Sequence, residues 1–210
     1  MKDENIKTVW EEFINDPKYF KYFKKRSKKS VIVKPKTKSN KKSNIVRQKS
    51  KYQEISRKMS SQNSANTNNM FDNDSELWHL YHNYRDYSFE GYDNQDEIPV
   101  NRIIRYLKSK SRRKLKILDL GCGRNHIYEH FKQNKNVSIT GYDHISYNDS
   151  IVCDISNLPE EDESINICVY SQSLMGSNWK EYLNEGKRVL NYNGEMIISE
   201  SIDRYDVGIK

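Results

Sequence analysis

Asp119-Leu120-Gly121-Cys122-Gly123 stands where a short apolar run, Leu115 to Leu120, meets the next segment. Glycine lets a chain turn sharply and brings its backbone against a ligand with no side chain between. Asp143 follows 22 residues after Gly121, closing a second run from Val137 to Tyr142. A carboxylate there can bind both hydroxyls of a ribose. Asp154 closes a third run, Ile151 to Cys153, and can accept from an adenine amino group. A Gly-x-Gly alone is a weak signal, and a single Asp at a loop start is common. Three acids at three successive strand ends beside one glycine turn point instead to a shared nucleoside site.

The missing third glycine selects among nucleotides. A dinucleotide fingerprint wants glycine three residues after Gly123, and His126 occupies that position. A pyrophosphate also wants an open helix N-terminus. S-adenosylmethionine carries no phosphate, and Asp119 ahead of the turn can help hold its amino group. The pattern therefore favours this sulfonium cofactor. His126 and His130 have the i, i+4 spacing of a zinc pair but no third ligand, so they are read as a solvated helix face and no metal is expected. Cys122, Cys153 and Cys168 form no Cys-x-x-Cys pair, which excludes a cysteine-rich zinc site and a disulfide framework and suits a reducing compartment.

Alternating strands and helices must position these residues. Pro99 opens a helix in which Val100, Ile103, Ile104 and Leu107 form one apolar stripe. A basic run, Lys110 to Lys116, leads into the first strand. A helix is expected over about 124–134, a fourth strand from Ile165 to Tyr170, a helix over about 179–190 and a fifth strand from Met196 to Ser199 after Gly194. Short apolar strands fit a parallel sheet covered on both faces, so the fold class is α/β. Only about eight residues link strands two and three, fewer than a parallel crossover normally uses. Either the third strand is vestigial or the link is a bare loop.

Charge divides the chain in two. Residues 1–70 hold nineteen Lys or Arg against six Asp or Glu, whereas 71–210 hold seventeen against twenty-three. Fifteen of the cations fall in the stretch 24–58, with one acid, Glu54. Such a stretch, followed by the polar residues 60–69, buries too little apolar surface to offset its ordering entropy. Residues 1–70 are thus expected to be a basic, largely disordered arm, with 71–210 as the folded domain. The arm suits RNA phosphates or a nuclear targeting signal. The aromatic cluster Trp10 to Phe23 suits a short partner-docking helix or small local core. With no signal peptide and no run of about 18 apolar residues, the reading is a soluble intracellular protein without a membrane partner. Oligomeric state is left open.

Residues 89–205 resemble the ribosomal RNA processing protein 8 (nucleomethylin) family. The similarity runs through Gly91-Tyr92-x-x-Gln95, Ile98-Pro99-Val100-Asn101, Asp119 to Gly123, Tyr142-Asp143 and Val152-Cys153-Asp154-Ile155 with Leu158-Pro159. Its most specific piece is Ser173-Leu174-Met175-Gly176-Ser177-Asn178-Trp179, followed by Glu185 to Leu190 and by Glu200 with Arg204-Tyr205. The resemblance implies a Rossmann-like class I methyltransferase that N1-methylates an adenine of large-subunit ribosomal RNA in nucleoli. It also implies cofactor contacts at Gly121, Asp143, Asp154, Ile155 and Ser171, beside Asp119, Cys122 and Gly123 of the turn. Adenine N1 lies on the Watson–Crick edge, so the base must be unpaired. Asn178 can then hydrogen-bond it and Trp179 stack on it. Alternatively, Asn178 caps the helix and Trp179 packs against the sheet.

Several positions depart from the family pattern. Asn125 replaces a small residue and Asn166 an aspartate, and a cofactor-contacting Tyr-His pair aligns onto Ser88-Phe89. His82, in Tyr81-His82, substitutes only with an insertion. The family continues past the fifth strand with a helix and a terminal strand pair, so about five parallel strands are expected here, without that pair. Three functions remain open: an RNA adenine-N1 methyltransferase with a basic RNA-binding arm, a methyltransferase-like scaffold that binds RNA or cofactor without turnover, and a methyltransferase for another substrate.

Overall fold

The structure, a computed structural model, describes residues 39–90 and 92–200. The Trp10 to Phe23 cluster, the basic residues before Ser39 and the pair Arg204-Tyr205 lie outside the described residues.

Five strands form one parallel sheet: β1 (Leu115–Leu120), β2 (Val137–Asp143), β3 (Ile151–Val152), β4 (Ile165–Ser171) and β5 (Leu190–Ser199). Their order is β3-β2-β1-β4-β5. The chain reverses direction across the sheet between β1 and β4, and the crevice outside their C-terminal ends is where open α/β sheets bind ligands.

Helices cover both faces, and their apolar spacing explains which. In α1 (Ser39–Ser61), α2 (Ser64–Asn73) and α3 (Ser75–Phe89) the chain approaches the crevice; α4 (Pro99–Lys110) then leads into β1. Ile103 and Leu107 of α4 pack with Ile117, Val137, Ile167 and Val169 on one face of the sheet. Ile127 and Phe131 of α5 (His126–Phe131) join them. On the other face, Tyr182, Leu183 and Val189 of α6 (Trp179–Val189) pack with Leu118, Leu120, Cys168 and Tyr170. β1 and β4 are therefore buried on both sides.

Helix α5 is shorter than the apolar pattern suggests because Asn125, in the left-handed region at φ 57°, starts it late. Strand β5 begins at Leu190, earlier than expected, then shifts register so that Glu195 pairs with Ile167. The short link between β2 and β3 is a bare loop leading to a two-residue strand. Ser146 Oγ donates to Ser150 O (2.7 Å), the Tyr147 N–H donates to Ser150 Oγ (2.8 Å), and Asn125 Nδ2 donates to Asn148 O (2.7 Å).

The reading of residues up to 70 as a disordered arm is corrected over its described part. Residues 39–61 and 64–73 are helical, and Ile55, Met59 and Phe71 are buried in a separate cluster with Trp78, Tyr81 and Met175. The apolar residues are few, but they share one face, and α3 and the loop after β4 supply the surface that covers them. The polar tract contributes as well. Asn63 Oδ1 caps α2 by accepting from the Asn66 N–H at 2.9 Å.

Candidate active site

Glycine is required at the β1 turn. Gly121 has φ +74°, and a Cβ there would lie 2.4 Å from Ser173 Cβ. Gly123 has φ +56°, and a Cβ there would meet His82 Cε1 at 2.7 Å. The N–H groups of Gly121 and Cys122 donate to Tyr142 O at 2.8 and 3.0 Å, locking the turn to the end of β2.

Asp143 is held by three N–H donors. Its Oδ2 accepts from Gly123 N, and its Oδ1 from His144 N and from the Trp78 indole, each at 2.8 Å. Trp78 and His82 come from α3, their rings 4.2 Å apart, so this helix lies across the glycine turn. Arg85, one turn further, donates to Ser171 O at 2.9 Å and ties α3 to the end of β4.

Behind the turn lies unsatisfied polarity. Asp119 is 2% exposed and its Oδ1 has no hydrogen-bond partner; the buried Oγ atoms of Ser171 and Ser173 have none either. A buried carboxylate without a partner is costly, so it is held toward its neutral form. Burial first, and the Asp143 charge second, raise the Asp119 pKa to about 7. Burial has the opposite effect on His82, lowering its pKa to about 3 and keeping the imidazole neutral.

The cleft encloses about 590 Å³ including its mouth, within the usual range for small-molecule sites. Gly121, Asp143 and Ile155 line it among the residues expected from sequence. Asp119, Cys122, Gly123 and Ser171 sit directly behind or beside that lining on β1, its turn and the end of β4. Asp154 does not line the cleft. Its Oδ1 accepts from Ser156 N (3.0 Å) and Ser156 Oγ (2.8 Å), while its neighbours Cys153 and Ile155 reach the cavity.

Asn178 and Trp179 are placed away from the cleft. Trp179 is 9% exposed and packs in the α6 face of the core. Asn178 makes no side-chain cap for α6. Its Oδ1 instead accepts from Ser64 N (3.0 Å) and Tyr182 Oη (2.9 Å), and its Nδ2 donates to Ser64 Oγ (3.0 Å). The physical reason is competition: the start of α2 offers a donor and an acceptor at hydrogen-bond distance, and the amide is taken up there. Asn178 thereby clasps α2 to the loop after β4. His126 lies on a half-exposed helix face, with Nε2 3.9 Å from Asp86 Oδ1. Among the described residues, no three His, Cys, Asp or Glu side chains gather as metal ligands do.

Sequence reading missed Trp78 and the placement of His82. The signal was present: Trp78, Tyr81, His82 and Arg85 fall at i, i+3, i+4 and i+7, the stripe of a helix that buries one face.

A family model described as "hypothetical methyltransferase" matches residues 35–209. The chain belongs to this methyltransferase family. The match begins ahead of the described α1 and spans the whole described sheet, so the helices over the cleft are part of the family unit. Within it, the chain is 33% identical over 144 residues to the 25S rRNA (adenine(645)-N(1))-methyltransferase of Schizosaccharomyces pombe, covering 65% of this chain and 44% of that protein. It is 36% identical over 141 residues to Ribosomal RNA-processing protein 8 of Arabidopsis thaliana, covering 65% and 45%. The chain thus spans less than half the length of these relatives. Among solved structures, a Burkholderia thailandensis 1,6-didemethyltoxoflavin-N1-methyltransferase with bound S-adenosylhomocysteine aligns at TM-score 0.47 and 15% identity, over 79% of this chain and 65% of that one.

A methyltransferase cofactor fits the residues present. Asp119 Oδ1 lacks the donor that the ammonium of S-adenosylmethionine would supply, and Ser171 and Ser173 offer hydroxyls beside it. Asp143, at the end of β2 and in the lining of the cleft, has the chemistry to accept from a ribose, and the missing Cβ atoms of the glycine turn let Ser173 and His82 pack against its backbone.

Proposed function

We propose that this chain is an S-adenosylmethionine-dependent methyltransferase acting on N1 of an unpaired adenine in RNA. The observation that carries the cofactor is the buried Asp119 near the end of β1, two residues before Gly121, whose Oδ1 has no hydrogen-bond partner. Bound, the cofactor supplies a sulfonium methyl group that already bears its leaving group. The protein's own part is to hold two reactants in line, where proximity is the larger contribution. Adenine N1 has a free lone pair, so no side chain has to take a proton before attack. His82, kept neutral, and Asp143, engaged by three N–H groups, therefore act as binding groups and not as bases.

The names of the relatives support RNA as the substrate class, and with ribosomal RNA as substrate the setting we propose is nuclear or nucleolar. The cations of residues 24–58 are suited to RNA phosphates. Asn178 acts as a positioning residue, keeping α2 and the loop after β4 together, while Trp179 seats the start of α6 in the core.

One feature favours a second reading, a scaffold that binds without turnover. A carboxylate offers about four lone-pair positions, and three of those on Asp143 are already taken, one by Trp78. Nucleoside mass spectrometry separates the two readings. After incubation of the full chain with methyl-labelled cofactor and unpaired RNA, the label should appear in N1-methyladenosine. Placing the adenine in a stable duplex should slow transfer by the cost of unpairing, a few kcal/mol. Label in N6-methyladenine, cytosine or protein overturns the substrate, and no label despite cofactor binding favours the scaffold.

A further inference from the structure

The basic run after α4 has no part in the cleft, and the structure gives it a context. Arg102 and Lys108 are exposed on the two flanks of α4, to either side of the buried Ile103 and Leu107, and the helix ends in the loop that carries Arg112, Arg113 and Lys114. Lys135 joins them from the turn before β2. Asn136 Nδ2 donates to Ser111 O (3.3 Å) and the Leu115 N–H donates to Asn136 O (2.8 Å), so the two loops lie side by side. All six cations are exposed, and none forms an ion pair with another described residue. Neighbouring cations are already neutralised: Arg105 pairs with Asp96, Lys110 with Glu195 and Lys132 with Glu129.

Position makes this more than a solvated face. Loops 111–114 and 132–136 precede β1 and β2, so they stand at the opposite pole from Gly121 and Asp143. Strand β1 alone separates the poles by about 20 Å. Helix α4 must return the chain to the start of β1, so it spans that gap, its 12 residues covering about 18 Å. Exposed positive charge that no acid takes up is thus gathered at the far pole, in Lys108, Arg112, Arg113, Lys114 and Lys135, with Arg102 nearer the cleft end of α4. Exposed cations grouped in this way attract a polyanion with regularly spaced charges. A-form RNA is bound mainly through shape and phosphates, which needs no aromatic platform.

We propose that Arg102, Lys108, Arg112, Arg113, Lys114 and Lys135 form a phosphate track that grips a base-paired RNA stem flanking the reactive adenine. The track rests on the RNA reading of the cleft and adds to it: the stem supplies affinity, and the cleft receives only the unpaired base. Substrate recognition then depends on a structured neighbour and not on the target nucleotide alone.

The test compares the full chain with a variant carrying Arg112→Ala, Arg113→Ala, Lys114→Ala and Lys135→Ala. Two RNAs are used, a short unpaired oligonucleotide and the same adenine in a loop closed by a stem of about a dozen base pairs. For the stem–loop, KM should rise about tenfold or more with kcat unchanged, and the log–log salt slope should shrink by about one for each phosphate that the variant leaves without a cation. For the short oligonucleotide neither quantity should move, and cofactor affinity should be intact. Equal losses on both RNAs, or no loss on either, overturn the track. Selective loss of binding to anionic vesicles, with stem–loop affinity unchanged, assigns the patch to a membrane surface and also overturns it. If the wild type methylates neither RNA, the cleft reading fails; stem–loop affinity that drops in the variant still supports the track.

Discussion

Replacing Asp119 with Asn should abolish most cofactor affinity, about a hundredfold or more, while making the free protein more stable at pH 8. Truncating one partner of a buried hydrogen-bonded charge pair costs about 2–5 kcal/mol. Stability should move the other way. In the folded chain Asp119 ionises near pH 7, raised by burial and by Asp143, whereas in the unfolded chain it ionises near the ordinary 3.8. Between those values the unfolded state is charged and the folded state protonated, so stability falls as pH rises from about 4 to about 7. Above pH 7 the whole penalty, a few kcal/mol, is present. Asn carries no such penalty, so its melting temperature should exceed that of the wild type at pH 8 and lose the advantage near pH 4. Wild-type affinity should fall as pH drops below about 7, approaching tenfold per pH unit, because the ammonium needs the ionised carboxylate. Calorimetry and thermal melts across pH check both arms. Affinity that ignores pH and survives the substitution would remove Asp119 from the site.

Trp78→Ala should be the most damaging substitution outside the sheet. The indole is 1% exposed, and it packs with Ile55, Phe71 and Tyr81 while donating to Asp143 at 2.8 Å. Emptying such a site costs about 3–5 kcal/mol, which lowers the melting temperature by about 10 °C for a domain of this size. Trp78→Phe keeps most of the packing and removes only the hydrogen bond, so it should lose about 1–2 kcal/mol. The gap between the two variants isolates the packing of α1 to α3 on the sheet. A Trp78→Ala protein that melts with the wild type would mean that these helices are not part of the folding unit.

The sheet and the glycine turn were legible because their signals are local. Buried parallel strands read as apolar runs, and Gly121 and Gly123 sit in a turn whose positive φ and close neighbours require glycine. Asp143 was found for the same reason, since it ends a strand. The covering helices were not legible, because their stability is borrowed. Residues 60–69 look like a disordered tract by composition, yet Ser64 and Thr67 are buried and Asn63 caps α2. What orders them is Asn178, 114 positions away from Ser64, and no windowed count of hydrophobicity sees that. The same clasp explains the departure at Asn178, whose amide is used between elements and not at the cleft. Asp154 shows the limit of strand-end logic in another way: β3 stops at Val152, two residues before it, and Ser156 donates to its oxygen. Among the described residues no helix is long and apolar enough to cross a membrane.

Isothermal titration of the full chain at pH 8 bears most directly on the cleft. S-adenosylhomocysteine and NAD are titrated separately into the wild type and into an Asp143→Ala variant. The expected result is one-to-one binding of the sulfur ligand, weakened about tenfold to a hundredfold by the loss of the ribose acceptor, with no heat from NAD. Clear NAD binding, with no affinity for S-adenosylhomocysteine or S-adenosylmethionine, would contradict the assignment of Asp119, Gly121 and Asp143 to a sulfonium cofactor.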